Sequence, residues 1–274
     1  VIRMAGMFID FGPLSVVTDR NRIRDVINDY NRGMLYKGPM VVLVNGLSAS
    51  ASEFFAGVMQ DYNRAVIAGT RTMGKASMQT IRQLEGSEQD FVKVTIDKFY
   101  RVTGKSGQYI GISPDVEMPT LMERFVPRES AQATALKNDS ITGQPFKPWP
   151  KAAILSVAEL SRKRIKANPA FGKIRSINSQ IDKMYDDDKA PLPLTFDKVY
   201  DDVHALDGVW KDINAQSESD SGVAVRTTAA DAKAIAADAF RKSINDYKVK
   251  SIKSDPFVPE GVNILNDLIS GKQK

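Results

Sequence analysis

Two side chains stand out for chemistry. Ser50 lies in the run Ser48-Ala49-Ser50-Ala51-Ser52, and Lys75 follows Gly74, 25 positions after the serine. A serine hydroxyl attacks a carbonyl carbon only when a base takes its proton and donors receive the charge that develops on the carbonyl oxygen. Histidine is the usual base. The chain has one, His204, in the charged stretch Val199-Tyr200-Asp201-Asp202-Val203-His204, which reads as a surface helix. A lysine can serve instead if it is neutral when it acts, and burial among apolar groups favours that form. Met73, Ala76 and Met78 bring no competing charge to Lys75, and Gly74 suits a tight backbone approach. Ala51 would open the helix after Ser50, where N–H groups lack intrahelical acceptors and can face an anion. The same residues also fit a plainer reading, in which small side chains pack in a close turn and one serine caps a helix. Asp61, in Gln60-Asp61-Tyr62, then reads as helix-end punctuation. On residue types alone both readings stay open.

The elements that would hold these groups follow from the pattern. Met40 to Val44 is an apolar, mostly β-branched run bounded by Gly38-Pro39 and Asn45-Gly46, so it predicts a buried strand ending at a tight turn. Glu53 to Tyr62 predicts the helix that the serine turn feeds. Strands are also expected at 14–18, at 65–69 and, with the alternation of a half-exposed strand, at 91–100. Strands interleaved with helical patterns argue for an α/β core. From Pro119 the character changes. Residues 121–150 are rich in breakers (Pro127, Gly143, Pro145, Pro148, Pro150) and predict an extended connection. Beyond Lys151 the patterns are helical, at 152–168, from Pro169 through Ile181, at 196–213, 229–247 and 262–269, with a polar loop at 217–222.

Composition narrows the field. With 42% hydrophobic and 26% charged residues the chain reads as globular, and it has no apolar run near the ~20 residues that span a bilayer. Zero cysteines exclude disulfides, a thiol nucleophile and thiolate metal sites. The net charge of +5 is spread among acidic residues without a strip of basic and aromatic side chains, so no nucleic-acid partner is expected. The start at Val1, inside an amphipathic pattern and without an initiating Met, suggests a piece of a longer protein.

The stretch from Val41 to Ala56 resembles the nucleophile segment of the carboxy-terminal processing proteases. It is most similar to their tail-specific branch, in which Met59-Gln60-Asp61-Tyr62 and Gly74-Lys75 also recur. The likeness begins at Gly6-Met7-Phe8-Ile9 and Gly12-Pro13, and runs on through Lys98-Phe99-Tyr100-Arg101-Val102 and Gly111 to Thr120. It thins in the helical half, at Arg164-Ile165, Asn168-Pro169-Ala170-Phe171 and Asp255-Pro256-Phe257. The resemblance implies Ser50 as nucleophile, Lys75 as base, Gln79 as the residue that orients the lysine, and the amide of Ala51 as one oxyanion donor. It implies a role for Asp61 as well, expected to be support of the local fold or of the lysine rather than proton relay.

The fold so implied is a partial crotonase- and caseinolytic-protease-like α/β core over residues 1–120. A linker follows at 121–150, then an all-α domain at 151–274. The family's upstream Asp-Leu-Arg-x-Asn-x-Gly-Gly motif, source of a second oxyanion donor, and its PDZ domain lie outside this sequence. Residues 1–274 alone are therefore expected to be inactive. The activity implied is endoproteolysis of proteins with exposed apolar C-terminal tails, in the periplasm, with association with the inner membrane. No cofactor or metal is expected, and a lipoprotein adaptor is a candidate partner. The rival expectation is a non-catalytic, protease-derived scaffold whose helical domain binds a partner.

Overall fold

The computed structural model of the chain describes residues 1–186 and 191–271. Its contacts define two compact units. One comprises Val1–Glu117, Val126–Leu160 and the stretch from Ile264 onward; the other comprises Met118–Phe125 and Ser161–Asn263.

The first unit starts with a short helix, α1 (Ile2–Gly6), and the strands β1 (Gly12–Asp19) and β2 (Arg24–Asp29). β3 (Val41–Val44) leads through the serine run into α2 (Ala51–Asp61), and α2 returns to β4 (Val66–Gly69). β5 (Ser77–Gln83), β6 (Phe91–Arg101) and the short β7 (Val116–Glu117) complete it. The strands form two sheets: an antiparallel one ordered β2-β1-β6-β5 and a parallel one ordered β3-β4-β7. β3-α2-β4 is thus a parallel crossover, which requires a helix-length connection.

The strands expected at 14–18, 40–44, 65–69 and 91–100 are present. β2, β5 and β7 escaped the sequence pattern, and with them the four-stranded antiparallel sheet. β2 has only Val26 and Ile27 as apolar residues, and β5 (Ser-Met-Gln-Thr-Ile-Arg-Gln) is a polar, largely exposed edge strand. β3 departs from its expected burial: Leu43 is 40% exposed, and Val41 and Val42 are half-buried. The reason is topological, because among the described residues β3 is the edge of its sheet and pairs with β4 alone.

α2 is anchored by Ala56, Val58 and Met59, which pack with Ala5, Ile9, Leu14, Val44, Ile67 and Val102. Arg64, just past α2 and 3% exposed, organises the adjoining loops. Its guanidinium donates to the carbonyls of Phe8 (3.1 Å), Tyr36 (2.6 Å) and Gly38 (2.9 Å) and lies 4.9 Å from the centre of the Trp149 ring. Arg64→Met should leave three acceptors without their charged donor, at about 1.5–3 kcal/mol for each such bond. We expect a loss of roughly 5 kcal/mol or more, read as a melting-temperature drop of at least roughly 10 °C; a drop under 2 °C would refute this role. The breaker-rich segment before α3 holds to the same unit. Trp149 exchanges bonds with Tyr62 (2.9 Å) and Asn63 (2.7 Å), and Phe146 meets Tyr62 edge-on at 5.1 Å.

Helices make up the second unit: α3 (Ala152–Ala167) from Ser161, α4 (Pro169–Met184), α5 (Phe196–Ser217), α6 (Ala229–Ala236), α7 (Ala239–Ser254) and the first turns of α8 (Phe257–Gly271). Asn168 caps α4 by accepting from the Ala170 N–H, and Pro169 fills the first helical position, where a missing N–H costs nothing. Ile177 and Ile181 of α4 pack on Val209 and Ile213 of α5, with Leu121 and Met122 alongside. Glu260 accepts from Ser161 (2.6 Å) and Arg164 (2.8 Å). The span 229–247, expected as one helix, is two, because Asp238 accepts from the N–H groups of Phe240 and Arg241 and so starts α7 afresh.

Candidate active site

β3 ends at the Asn45-Gly46 turn and the chain reverses into α2 at Ser50, the residue before the first helical position. Ser50 takes φ 55° and ψ −111°, a left-handed backbone that costs a side-chain-bearing residue energy and recurs where a strand-to-helix corner thrusts a nucleophile outward. Ala51 is the first residue of α2, so its N–H is among those without an intrahelical acceptor.

The serine corner and the lysine loop are joined by one buried carboxylate. Glu53 is 2% exposed. Its Oε2 accepts from both the Ser50 N–H (2.9 Å) and the Lys75 N–H (2.8 Å), and its Oε1 accepts from the Gly74 N–H (2.7 Å) and the Thr72 hydroxyl (2.5 Å). Thr72 Oγ1 in turn accepts from the Ile112 N–H at 2.7 Å. A direct main-chain bond runs beside this bridge, from Met73 N–H to the Ser48 carbonyl at 3.0 Å. Burial raises the pKa of Glu53 above its ordinary 4.5, opposed by its bonds from Thr72, Gly74, Ser50 and Lys75. Gly74, at φ 98°, sits 3.0 Å from main-chain atoms of Tyr109 and Gly111 as measured from where a Cβ would be, so only glycine fits this approach.

Lys75 is half-buried and its Nζ donates to Gln79 Oε1 at 3.0 Å. Gln79, on β5, is steadied across the hairpin by Thr95, whose Oγ1 accepts from Gln79 Nε2 at 3.4 Å. The Lys75 and Gln79 side chains are therefore brought together, whereas Ser50 and Lys75 are linked at their main-chain N–H groups, through Glu53. Asp61 lies elsewhere. It is the last residue of α2, about 15 Å along the helix axis from its start at 1.5 Å per residue. Its carboxylate receives Arg101 at 2.6 and 2.9 Å, and Arg101 also donates to Gln60 Oε1 at 3.0 Å. Burial raises the Asp61 pKa, against the hydrogen bond and charge of Arg101. This ties Asp61 to the junction of α2 and β6 rather than to the lysine. His204 belongs to the second unit, stacked on Tyr200 at 3.9 Å with Nδ1 bonded to the Tyr200 carbonyl at 2.8 Å. Among the described residues no group of three His, Asp or Glu side chains could hold a metal ion.

The sequence reading missed Glu53 and a second buried clamp, Gln108, which accepts from the Ala76 N–H at 2.7 Å. Glu53 left a signal: a serine followed three positions later by glutamate is the capping-box pattern, in which the glutamate reaches back to the cap N–H. Gln108 left none, because its partner lies 32 positions away.

Residues 1–118 match peptidase family S41, and residues 127–270, more than half of the chain, match the C-terminal domain of tail-specific protease. The chain belongs to the tail-specific proteases of peptidase family S41. Among curated relatives, the tail-specific protease of Haemophilus influenzae is 37% identical over 51% of this chain and 21% of its own length. The carboxy-terminal-processing protease of Bartonella bacilliformis is 49% identical over 32% of this chain and 20% of its own. A solved photosystem II D1 C-terminal processing protease matches at 39% identity with a TM-score of 0.38, over 43% of this chain and 30% of that one. These matches span only a fifth to a third of the relatives' lengths. The mixed α/β region over residues 1–118 is the S41 peptidase fold, and the helical region that follows it is the C-terminal region of this branch. No helix among the described residues is long and apolar enough to cross a membrane.

Proposed function

We propose that the full-length protein is a serine endopeptidase that works with a Ser50–Lys75 dyad on proteins with exposed apolar C-terminal tails. The observation that carries this reading is the sharing of one Glu53 oxygen by the Ser50 and Lys75 amides, with Ser50 on a left-handed strand-to-helix corner. In the proposed sequence, neutral Lys75 takes the Ser50 hydroxyl proton as Oγ attacks the scissile carbonyl carbon. The Ala51 N–H donates to the oxygen that becomes negative. Lys75 then gives the proton to the departing amine, leaving an ester on Ser50. Water, losing a proton to Lys75, attacks that ester; Lys75 returns the proton to Ser50 Oγ as the ester bond breaks, which frees the new C-terminus and restores the serine hydroxyl and neutral lysine. Gln79 aims the lysine, and Asp61 with Arg101 sets the end of α2.

A periplasmic setting, a PDZ domain elsewhere in the protein and a lipoprotein adaptor belong to the same reading. Exposed Phe196, Tyr200 and Trp210 on α5 favour a protein partner for the helical unit. They are also what supports the alternative, a non-catalytic scaffold.

A fluorophosphonate probe decides between the two. It should label the full-length protein at Ser50, and Ser50→Ala should lose both label and peptide cleavage. Cleavage that survives Ser50→Ala, or a label on another serine, would overturn the assignment.

A further inference from the structure

We infer that Gln108 is a positioning residue for Lys75, acting through the main chain of the lysine loop; the inference rests on the reading of Lys75 as the base. Three consecutive amides in this loop donate to side-chain oxygens: Gly74 and Lys75 to Glu53, and Ala76 to Gln108 Oε1 at 2.7 Å. The peptide planes on both sides of the Lys75 Cα are therefore held, one by a residue of α2 and the other by a residue of the loop after β6. Fixing both planes fixes φ and ψ of Lys75, and with them the direction in which its side chain leaves the backbone. Gln79 holds the far end at Nζ.

Gln108 is itself over-determined. It is 0% exposed, and its Nε2 donates to Glu129 Oε1 at 3.0 Å. That bond fixes which carboxamide atom faces Ala76, since the reverse orientation would set a carbonyl against a carboxylate and an amino group against an N–H. Its own N–H donates to Ser106 Oγ at 3.0 Å, and its carbonyl accepts from Asn138 Nδ2 at 2.9 Å. The loop grips back through Tyr109 N–H to the Gly74 carbonyl (2.7 Å) and Glu129 N–H to the Met73 carbonyl (3.1 Å). Gln108 and Glu129 thus form a donor–acceptor pair whose polarity sets the lysine's backbone.

Exchanging that polarity is the test. Gln108→Glu sets a second carboxylate against Glu129 and removes the donor between them. The double variant Gln108→Glu/Glu129→Gln restores every bond in mirror form. The carboxylate at 108 accepts from Ala76 and from the amide at 129, whose carbonyl can still receive Gln132, the 3.4 Å partner of Glu129. In the full-length protein the single variant should lower kcat at least about tenfold with KM held within about twofold, because a misplaced base slows chemistry more than binding. The double variant should recover to within about threefold of the starting kcat. A single variant with unchanged kcat, or a folded double variant as slow as the single one, would overturn the inference. Lys75→Arg, assayed in parallel, keeps the two readings apart: if it stays active the dyad fails, whereas a dead Lys75→Arg beside a fully active Gln108→Glu removes only the role of Gln108. Should neither 108 variant fold, hydrogen exchange on the unsubstituted 274-residue chain decides. A protected Ala76 amide supports the clamp, and exchange as fast as in the exposed 84–90 loop refutes it.

Discussion

Lys75→Arg should abolish peptide cleavage by the full-length protein while leaving its fold intact. The substitution keeps the positive charge and a donor for Gln79, so the 3.0 Å contact with Oε1 can persist in some form. What it removes is a side chain that can act as a base, since a guanidinium holds its proton far above the working range. Loss of general-base catalysis costs about 10²–10⁴ in rate, and we expect kcat to fall by that factor with little change in melting temperature. His204→Ala provides the contrast. Its ring is engaged with Tyr200 on its own helix, so peptide cleavage should stay within about twofold of the unsubstituted protein. Full activity in Lys75→Arg, or loss of activity in His204→Ala, would remove the dyad from consideration.

How far the sequence reaches depends on whether the physics is local. The β3-turn-α2 unit was readable because each part announces itself within a few residues: an apolar run, a Gly-containing turn, small side chains, then helical periodicity. The same holds for Asn168-Pro169 opening α4, where cap and fixed φ adjoin. Legibility fails where burial or partnership is set at a distance. β5 reads as polar because it is an edge strand, and its identity as a strand comes from pairing with β6. β3 reads as buried because its side chains are apolar, yet its exposure follows from its place at the margin of a sheet. The site divides in the same way. Ser50 and Lys75 carry the types that chemistry needs, whereas Glu53 and Gln108 act through main-chain N–H groups contributed by residues of any type. Gly74 is the exception that sequence can show, since only a residue without Cβ permits the approach to Tyr109 and Gly111. Asp61 illustrates the converse: by residue type it reads as helix-end punctuation, the resemblance gives it support of the local fold or of the lysine, and its carboxylate is held by Arg101.

Glu53→Gln should damage this site far more than its near-identical shape suggests. The carboxylate meets four donors and offers none. An amide in its place turns an NH₂ toward two of them, and each buried donor left unmet costs about 1–3 kcal/mol. Because one of its oxygens joins the Ser50 and Lys75 amides, the damage falls on the relative placement of nucleophile and base. A loss of about 10²-fold in kcat is expected for misplacement on the scale of 1 Å. The pH dependence follows from burial, which places the native pKa of Glu53 above its ordinary 4.5. A carboxyl whose folded pKa is raised contributes most to stability below its unfolded pKa, and that contribution is lost as pH rises through the folded value. Function runs the other way, because accepting from all four donors requires the ionised form. On mild acidification the protein should therefore lose activity through a pKa above 4.5 while Glu53 itself adds to, rather than subtracts from, the melting temperature. Measured together across that range, kcat and melting temperature should part company in the unsubstituted protein, and Glu53→Gln should lack this acid limb. A limb unchanged in Glu53→Gln would assign the titration to another group and deny Glu53 its place between serine and lysine.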